Sequence, residues 1–234
     1  GIILTDTPYG ENSKIVNIYT REKGLIGVMC NNVKSIKNPL RTKTLKFTYG
    51  TFHINYNEKK LSHLVDVDVI DNLKEIRTDI EKISYLNYIS DLTYQVIKQN
   101  DEPEIFDIFI NTIIKINEGK NPAILTNILE LKLLDYLGVA PSIDACSHCG
   151  STKDIVTLAS DSGGYICKDC YNTEPLVSEK TIKMIRMYYY VDIKNITKLD
   201  VSDEVTREIN EFLDDYYDRY TGLYMKSKNF IKKL

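Results

Sequence analysis

Histidine is scarce: His53, His63 and His148 are the only three in 234 residues, so material for general acid–base catalysis is thin. The short signatures of common catalytic sites are missing as well. There is no GxxxxGKS/T phosphate loop, no GxGxxG after a strand, no HExxH and no GxSxG. The expectation is therefore that the protein is not an enzyme. No apolar run approaches the roughly 20 residues that cross a bilayer, which argues against a membrane partner. Five cysteines are too few for a disulfide-stapled secreted scaffold. The chain starts at Gly1 rather than Met, so a few leading residues are expected to be missing. No signal peptide stands in the sequence, and with the CxxC-type cysteine usage the cytoplasm is the expected location. Internal repeats, low-complexity tracts and long linkers are also lacking.

What is present is unevenly spread. The formal net charge is only −3. Residues 1–65, however, hold ten Lys/Arg against four Asp/Glu, a net of +6, and the remainder nets −9. Such asymmetry points to an anion-binding front, the alternative being ordinary solvated surface.

The front third reads as strands. "SKIVNIYT" and "LIGVMC" flank "REKG", a hairpin signal. In "KTLKFTYGTFHINYN" the large apolar residues occupy odd positions (Leu45, Phe47, Tyr49) and then even ones (Phe52, Ile54, Tyr56). The phase changes at Gly50, as at a bulge or bend in a long strand. "LSHLVDVDVI" alternates Val65, Val67 and Val69 with Asp66 and Asp68, the pattern of a half-exposed edge strand. With "GIILT", five short strands in about seventy residues suit a small closed barrel. His53 and His63 fall in these strands and read as ordinary, partly buried residues.

From about Asp71 the period becomes helical. Ile76, Ile80, Ile83, Leu86, Ile89, Leu92 and Val96 recur every three or four residues. A second helix carries a doubled stripe, Ile105/Phe109/Ile113 beside Phe106/Ile110/Ile114. A third has Asn121 as N-cap, Pro122 at its first position, and Gly138 and Pro141 as stops. Ser178 and Ser202 are further candidate caps, and Val205, Ile209, Phe212, Leu213, Tyr216 and Tyr220 line the last helix. The fold class is α+β, with a barrel over residues 1–75 and a mainly helical domain over 76–234. The two are expected to pack closely.

An insert at about 143–173 interrupts the helices. Cys146, Cys149, Cys167 and Cys170 form C-x2-C-x17-C-x2-C, a spacing at which two turns can aim four thiolates at one ion. Four sulfurs close a tetrahedron, so a structural Zn2+ is expected rather than a catalytic one. A redox pair is the alternative, and His148 is the residue that could replace a cysteine ligand. Cys30, far away in a strand, reads as a small buried hydrophobe.

The positive front offers candidate phosphate contacts. Lys34, Lys37, Arg41 and Lys43 lie with Lys46 in "NNVKSIKNPLRTKTLK", and Lys14, Arg21 and Lys23 flank the neighbouring hairpin. Phe47, Tyr49, Phe52 and Tyr56 either stack on bases beside them or fill the barrel.

Three stretches carry a family resemblance: "DTPYGENSKIVNIYTREKGLIGV", "ILELKLLDYLGVAPSIDACSHCG" and "GGYICKDC". Together with the closing "TGLYMKSKNFI", they resemble the RecO family of bacterial recombination mediators. The resemblance implies an oligonucleotide-binding (OB-fold) barrel that binds single- and double-stranded DNA and anneals complementary strands. It also implies work with RecR in loading RecA onto DNA covered by single-strand-binding protein (SSB), whose acidic C-terminal tail would dock on the helical domain. The implied location is a bacterial cytoplasm, at the nucleoid, and the four cysteines match the family's zinc ligands. A zinc-dependent nucleic-acid hydrolase and a zinc-ribbon transcription regulator are the alternatives.

Overall fold

The computed structural model describes residues 1–231. Strands β1 (Ile2–Tyr9), β2 (Ser13–Thr20) and β3 (Gly24–Cys30) form a meander. A long connection carrying the one-turn helix α1 (Leu40–Lys43) leads to β4 (Tyr49–Asn55) and β5 (Ser62–Asp71). The barrel closes in the order β1-β2-β3-β5-β4, with β3 and β5 parallel and Ile2 pairing with Tyr49 at the seam. This is the five-stranded OB-fold arrangement. Alternation along β2 sends Val16 and Ile18 inward to Ile3, Val28, Cys30 and Val33. Leu40, on α1, packs against the same cluster.

Two readings of the strands are corrected. First, the long strand begins only at Tyr49. Residues before it form α1 and a turn in which Phe47 adopts φ +67°. Its amide donates to Ile3 O and its ring is buried, so packing holds a conformation that bulky residues rarely adopt. Second, β5 is no edge, because closure places it between β3 and β4. Its alternation also slips. His53 pairs with Asp66 but Ile54 with Leu64, so Val65 is a bulge residue turned to solvent, while Val67 is buried. The expected break at Gly50 is present, between Tyr49↔Asp71 and Gly50↔Val69.

The helical part runs α2 (Lys74–Arg77), α3 (Ile80–Ile97), α4 (Pro103–Asn117) and α5 (Pro122–Tyr136). After a hairpin of β6 (Ile155–Ala159) and β7 (Gly164–Cys167) come α6 (Glu179–Tyr190), α7 (Asp203–Tyr220) and α8 (Lys228–Ile231). Asp79 caps α3, separating it from Ile76 on α2 and leaving Ile80 exposed. Helix α5 is buried on every side from Ile124 to Leu131 and forms the axis on which α3, α4, α6 and α7 pack. Asn121 Oδ1 accepts from the amides of Ala123 and Ile124, with Pro122 following. Asn121→Ala should cost about 1 kcal/mol of stability, measured by chemical denaturation, because those amides lose their acceptor. Ser178 caps α6 through the Thr181 amide, whereas Ser202 makes no side-chain cap bond at α7.

Barrel and helices share one apolar core. Ile2, Leu4, Tyr19 and Phe47 join Leu73, Ile76, Leu92, Phe109 and Leu129 in a continuous cluster. Tyr19 faces out of the barrel, and its ring lies 5.2 Å from that of Phe106, edge to face. No described helix is long and apolar enough to cross a membrane.

Candidate nucleic-acid interface and metal centre

The connection between β3 and β4 caps one end of the barrel. Val33 anchors it inside, Lys34 N donates to Asn12 O (2.9 Å), and Asn32 N donates to Ser13 Oγ (3.0 Å). These bonds fix the loop to the β1–β2 turn. Lys37 and Arg41 are exposed and Lys34 is half-exposed. Among the described residues none of these three side chains has an ion-pair partner. Lys23, in the β2–β3 turn, holds its ammonium 5.5 Å from the centre of the Tyr56 ring.

The other cations are engaged within the protein; Lys14 is buried, which corrects its expected exposure, whereas Arg21 is exposed and Lys43 half-exposed. Lys14 is only 8% exposed, and Nζ donates to Asp6 Oδ2 (3.1 Å) and to Thr44 O (2.5 Å). It fastens the end of α1 beneath β1 and β2. Arg21 makes a two-pronged pair with Asp107 on α4, Nε to Oδ1 at 3.0 Å and a terminal nitrogen to Oδ2 at 3.0 Å, tying barrel to helices. Lys43 Nζ donates to Asp66 Oδ1 at 3.0 Å, a bond that holds the Asp66 carboxyl below its ordinary range. Lys46 reaches Asn87 on α3. The aromatics divide likewise. Phe47 is in the shared core and Phe52 packs in the barrel, while Tyr56 is 47% exposed under Lys23. His53 and His63 are exposed rather than partly buried; His53 Nε2 lies 2.6 Å from Asp68 Oδ2.

The four cysteines do converge. Their Sγ atoms all lie within 4.8 Å of one another, and Cys149 and Cys167 are 3.6 Å apart. A tetrahedron with metal–sulfur bonds of about 2.3 Å has edges of roughly 3.8 Å, so the donor set fits one ion. His148 is exposed and outside this group. The local fold explains the convergence. Gly150 N donates to Cys146 O and Cys170 N to Cys167 O, closing the two knuckles. Strand β7 delivers Cys167, and Ser147 N bonds to Tyr165 O, bringing the first knuckle onto the hairpin. Ser142 pairs with β7 at Gly164, where a Cβ would stand 2.2 Å from Ser142 O. Only glycine permits that approach.

Crowded sulfur atoms titrate unequally. Burial pushes the Cys146 thiol up, but the amides of Cys149, Cys167 and His148 outweigh it and bring it down to about 6. Hydrogen bonding to Cys149 pushes Cys170 up to about 12. Negative charge at one sulfur thus resists charge at the next, a repulsion that a bound cation relieves. Cys30 is buried and far from the cluster, and burial lifts its thiol to about 11.

Comparison with known proteins follows the same division. Residues 1–73 match the family described as Recombination protein O N terminal, and residues 77–229 match Recombination protein O C terminal. A DNA repair protein RecO of Bacillus pumilus is 33% identical over 238 residues, which takes in 100% of this chain and 93% of that protein. A DNA repair protein RecO of Halalkalibacterium halodurans is 32% identical, and one of Listeria monocytogenes 33%, with the same coverage. With barrel and helical part matched in order along the whole length, the chain belongs to the RecO family.

Proposed function

We propose that this protein acts in DNA repair and recombination as a mediator. It binds single- and double-stranded DNA through the barrel and anneals complementary strands. With RecR it helps load RecA onto DNA covered by SSB, whose acidic tail docks on the helical part. The observation that carries the reading is the braced cationic loop of Lys34, Lys37 and Arg41 on a closed OB-type barrel. Lys23 and Tyr56 add a second cationic edge. Lys14, Arg21 and Lys43 act indirectly, by holding the barrel, its cap and the helices in place. Neutralising phosphates on two strands in turn lowers their mutual repulsion, so that pairing can begin.

The metal is zinc, held by Cys146, Cys149, Cys167 and Cys170, and its role is architectural. A hydrolytic zinc needs an open ligand position, whereas four sulfurs within 4.8 Å supply a full tetrahedron. A DNA-reading helix beside the knuckles is not favoured either. On α6, Arg186 is held by Asp144 and Lys183 by Glu179.

The test is oligonucleotide binding and strand annealing across a salt series, with and without SSB. Replacing Lys34, Lys37 and Arg41 by alanine should weaken binding at all sequences, on the order of a hundredfold at 0.1 M salt. The slope of log K against log salt should flatten by about 0.7 to 0.9 for each lost contact. An unchanged slope removes the loop from the DNA footprint.

A further inference from the structure

Ile36 is 86% exposed, more than any other large hydrophobic side chain among the described residues. It stands between Lys34 and Lys37 at the tip of the loop that caps the barrel. The tip is rigidly built. Ser35 N donates to Asn32 O (3.2 Å), and Asn38 N donates to Ser35 O (3.1 Å). The Asn38 side-chain amide also reaches Asn32 O (3.0 Å), and its Oδ1 accepts from Leu40 N (2.8 Å). Asn32 adopts φ +55°, a left-handed conformation that asparagine tolerates better than most residues. Together with the bonds to Asn12 and Ser13, these contacts hold in place a loop tip whose aliphatic side chain is left largely in solvent.

We propose that Ile36 inserts against unpaired bases of a DNA single strand as an apolar wedge, between the phosphates that Lys34 and Lys37 contact. This rests on reading the loop as a DNA contact. The chemistry is complementary. Two cations three residues apart track the backbone, and a branched aliphatic group between them meets the apolar faces of bases. A flipped or unstacked base then has a protein surface to lie on, a state between a coated strand and a paired one. In duplex DNA the same contact is reached only by unstacking a base step, at an energetic cost that a single strand largely escapes.

The inference separates from phosphate binding by its salt dependence. Burial of an aliphatic side chain releases no counterions, so it changes the intercept of log K against log salt and leaves the slope alone. Ile36→Ser should lower affinity for a single-stranded oligonucleotide about 10-fold at every salt concentration, with parallel lines. Duplex affinity should stay within twofold. A 2-aminopurine placed in the strand should brighten on binding the unaltered protein, as unstacking predicts, and stay dim with Ile36→Ser. Being exposed, the site should tolerate the change with an unaltered melting temperature. Unchanged single-strand affinity, equal losses on single strand and duplex, or a changed slope would each overturn the wedge, the first leaving Ile36 to a protein partner. If Lys34, Lys37 and Arg41 to alanine also leaves the slope unaltered, the loop reading itself falls and the wedge falls with it. A flattened slope in that variant beside an inert Ile36→Ser overturns the wedge alone.

Discussion

Cys167→Ser should melt the rear of the molecule before it touches DNA affinity. The replaced sulfur lies at the end of β7, 3.6 Å from Cys149, and three remaining thiols cannot complete a tetrahedron. Loss of the proposed zinc would free two knuckles, and the damage would reach further, because the hairpin they clamp is part of the common core. Leu158 and Tyr165 pack there with Ile185 and Tyr188 of α6, and the Tyr165 hydroxyl donates to Ile182 O. Zinc bound only by the folded state contributes its binding free energy to folding. A loss of about 4 kcal/mol corresponds to a fall of roughly 10 °C in Tm for a domain of this size. Zinc content near zero, protease cutting between Cys146 and Cys170, and nearly normal oligonucleotide affinity below the new Tm are the expected results. A chelator should reproduce them. Normal folding with loss of a single activity would show that the metal works on a substrate instead.

Lys228→Met is the second large effect, and it concerns how the end of the chain is held. Glu130 lies in the middle of α5 with its side chain only 3% exposed. It accepts from the Tyr88 hydroxyl and from Lys228 Nζ at 2.7 Å, and the same ammonium reaches Asp214 at 2.5 Å. Lys228 also lies over the rings of Tyr88 and Tyr217. Burial opposes the ammonium, but Glu130 and Asp214 outweigh it and raise its pKa above the ordinary 10.5. The sign follows from linkage. The stabilisation is whole below pH 10.5 and fades only as pH climbs through the higher folded value. Removing the lysine leaves a buried carboxylate without its counter-charge, which costs about 3 to 5 kcal/mol. Thermal denaturation should show it. Combining Lys228→Met with Glu130→Gln should recover most of the loss, because the stranded charge goes too. A single variant within 0.5 kcal/mol of the parent would mean that the last helix is not pinned by this pair.

How much of this was legible in the sequence depended on the distance between partners. The cysteines were readable because each knuckle is a three-residue step and the spacing of the two fits one ion. Asn121 and Pro122 were readable because a cap acts on amides two and three residues away. Lys14 was not. Its acceptor, Thr44 O, lies thirty residues on, and nothing local separates a strand lysine facing solvent from one threaded under a cap. Arg21 and Asp107 are 86 positions apart, and each alone looks like surface. Phe47 misled for another reason: two apolar residues at alternate positions fit a tight turn as well as a strand. Glu130, by contrast, left a usable sign. A carboxylate in the middle of "ILELKLL" must find a partner if that helix is central.

The side-on stacking of Tyr19 upon Phe106 has a practical corollary for anyone dividing the protein. Cutting after residue 73 would strip Ile2, Leu4, Tyr19 and Phe47 of their cover and leave a sticky oily flank on the fragment. Clumping of that fragment would then report the severed seam rather than a barrel unable to grip DNA. Load applied by a bound strand should likewise pass into the helices as through a welded joint, since no loose tether lies between them.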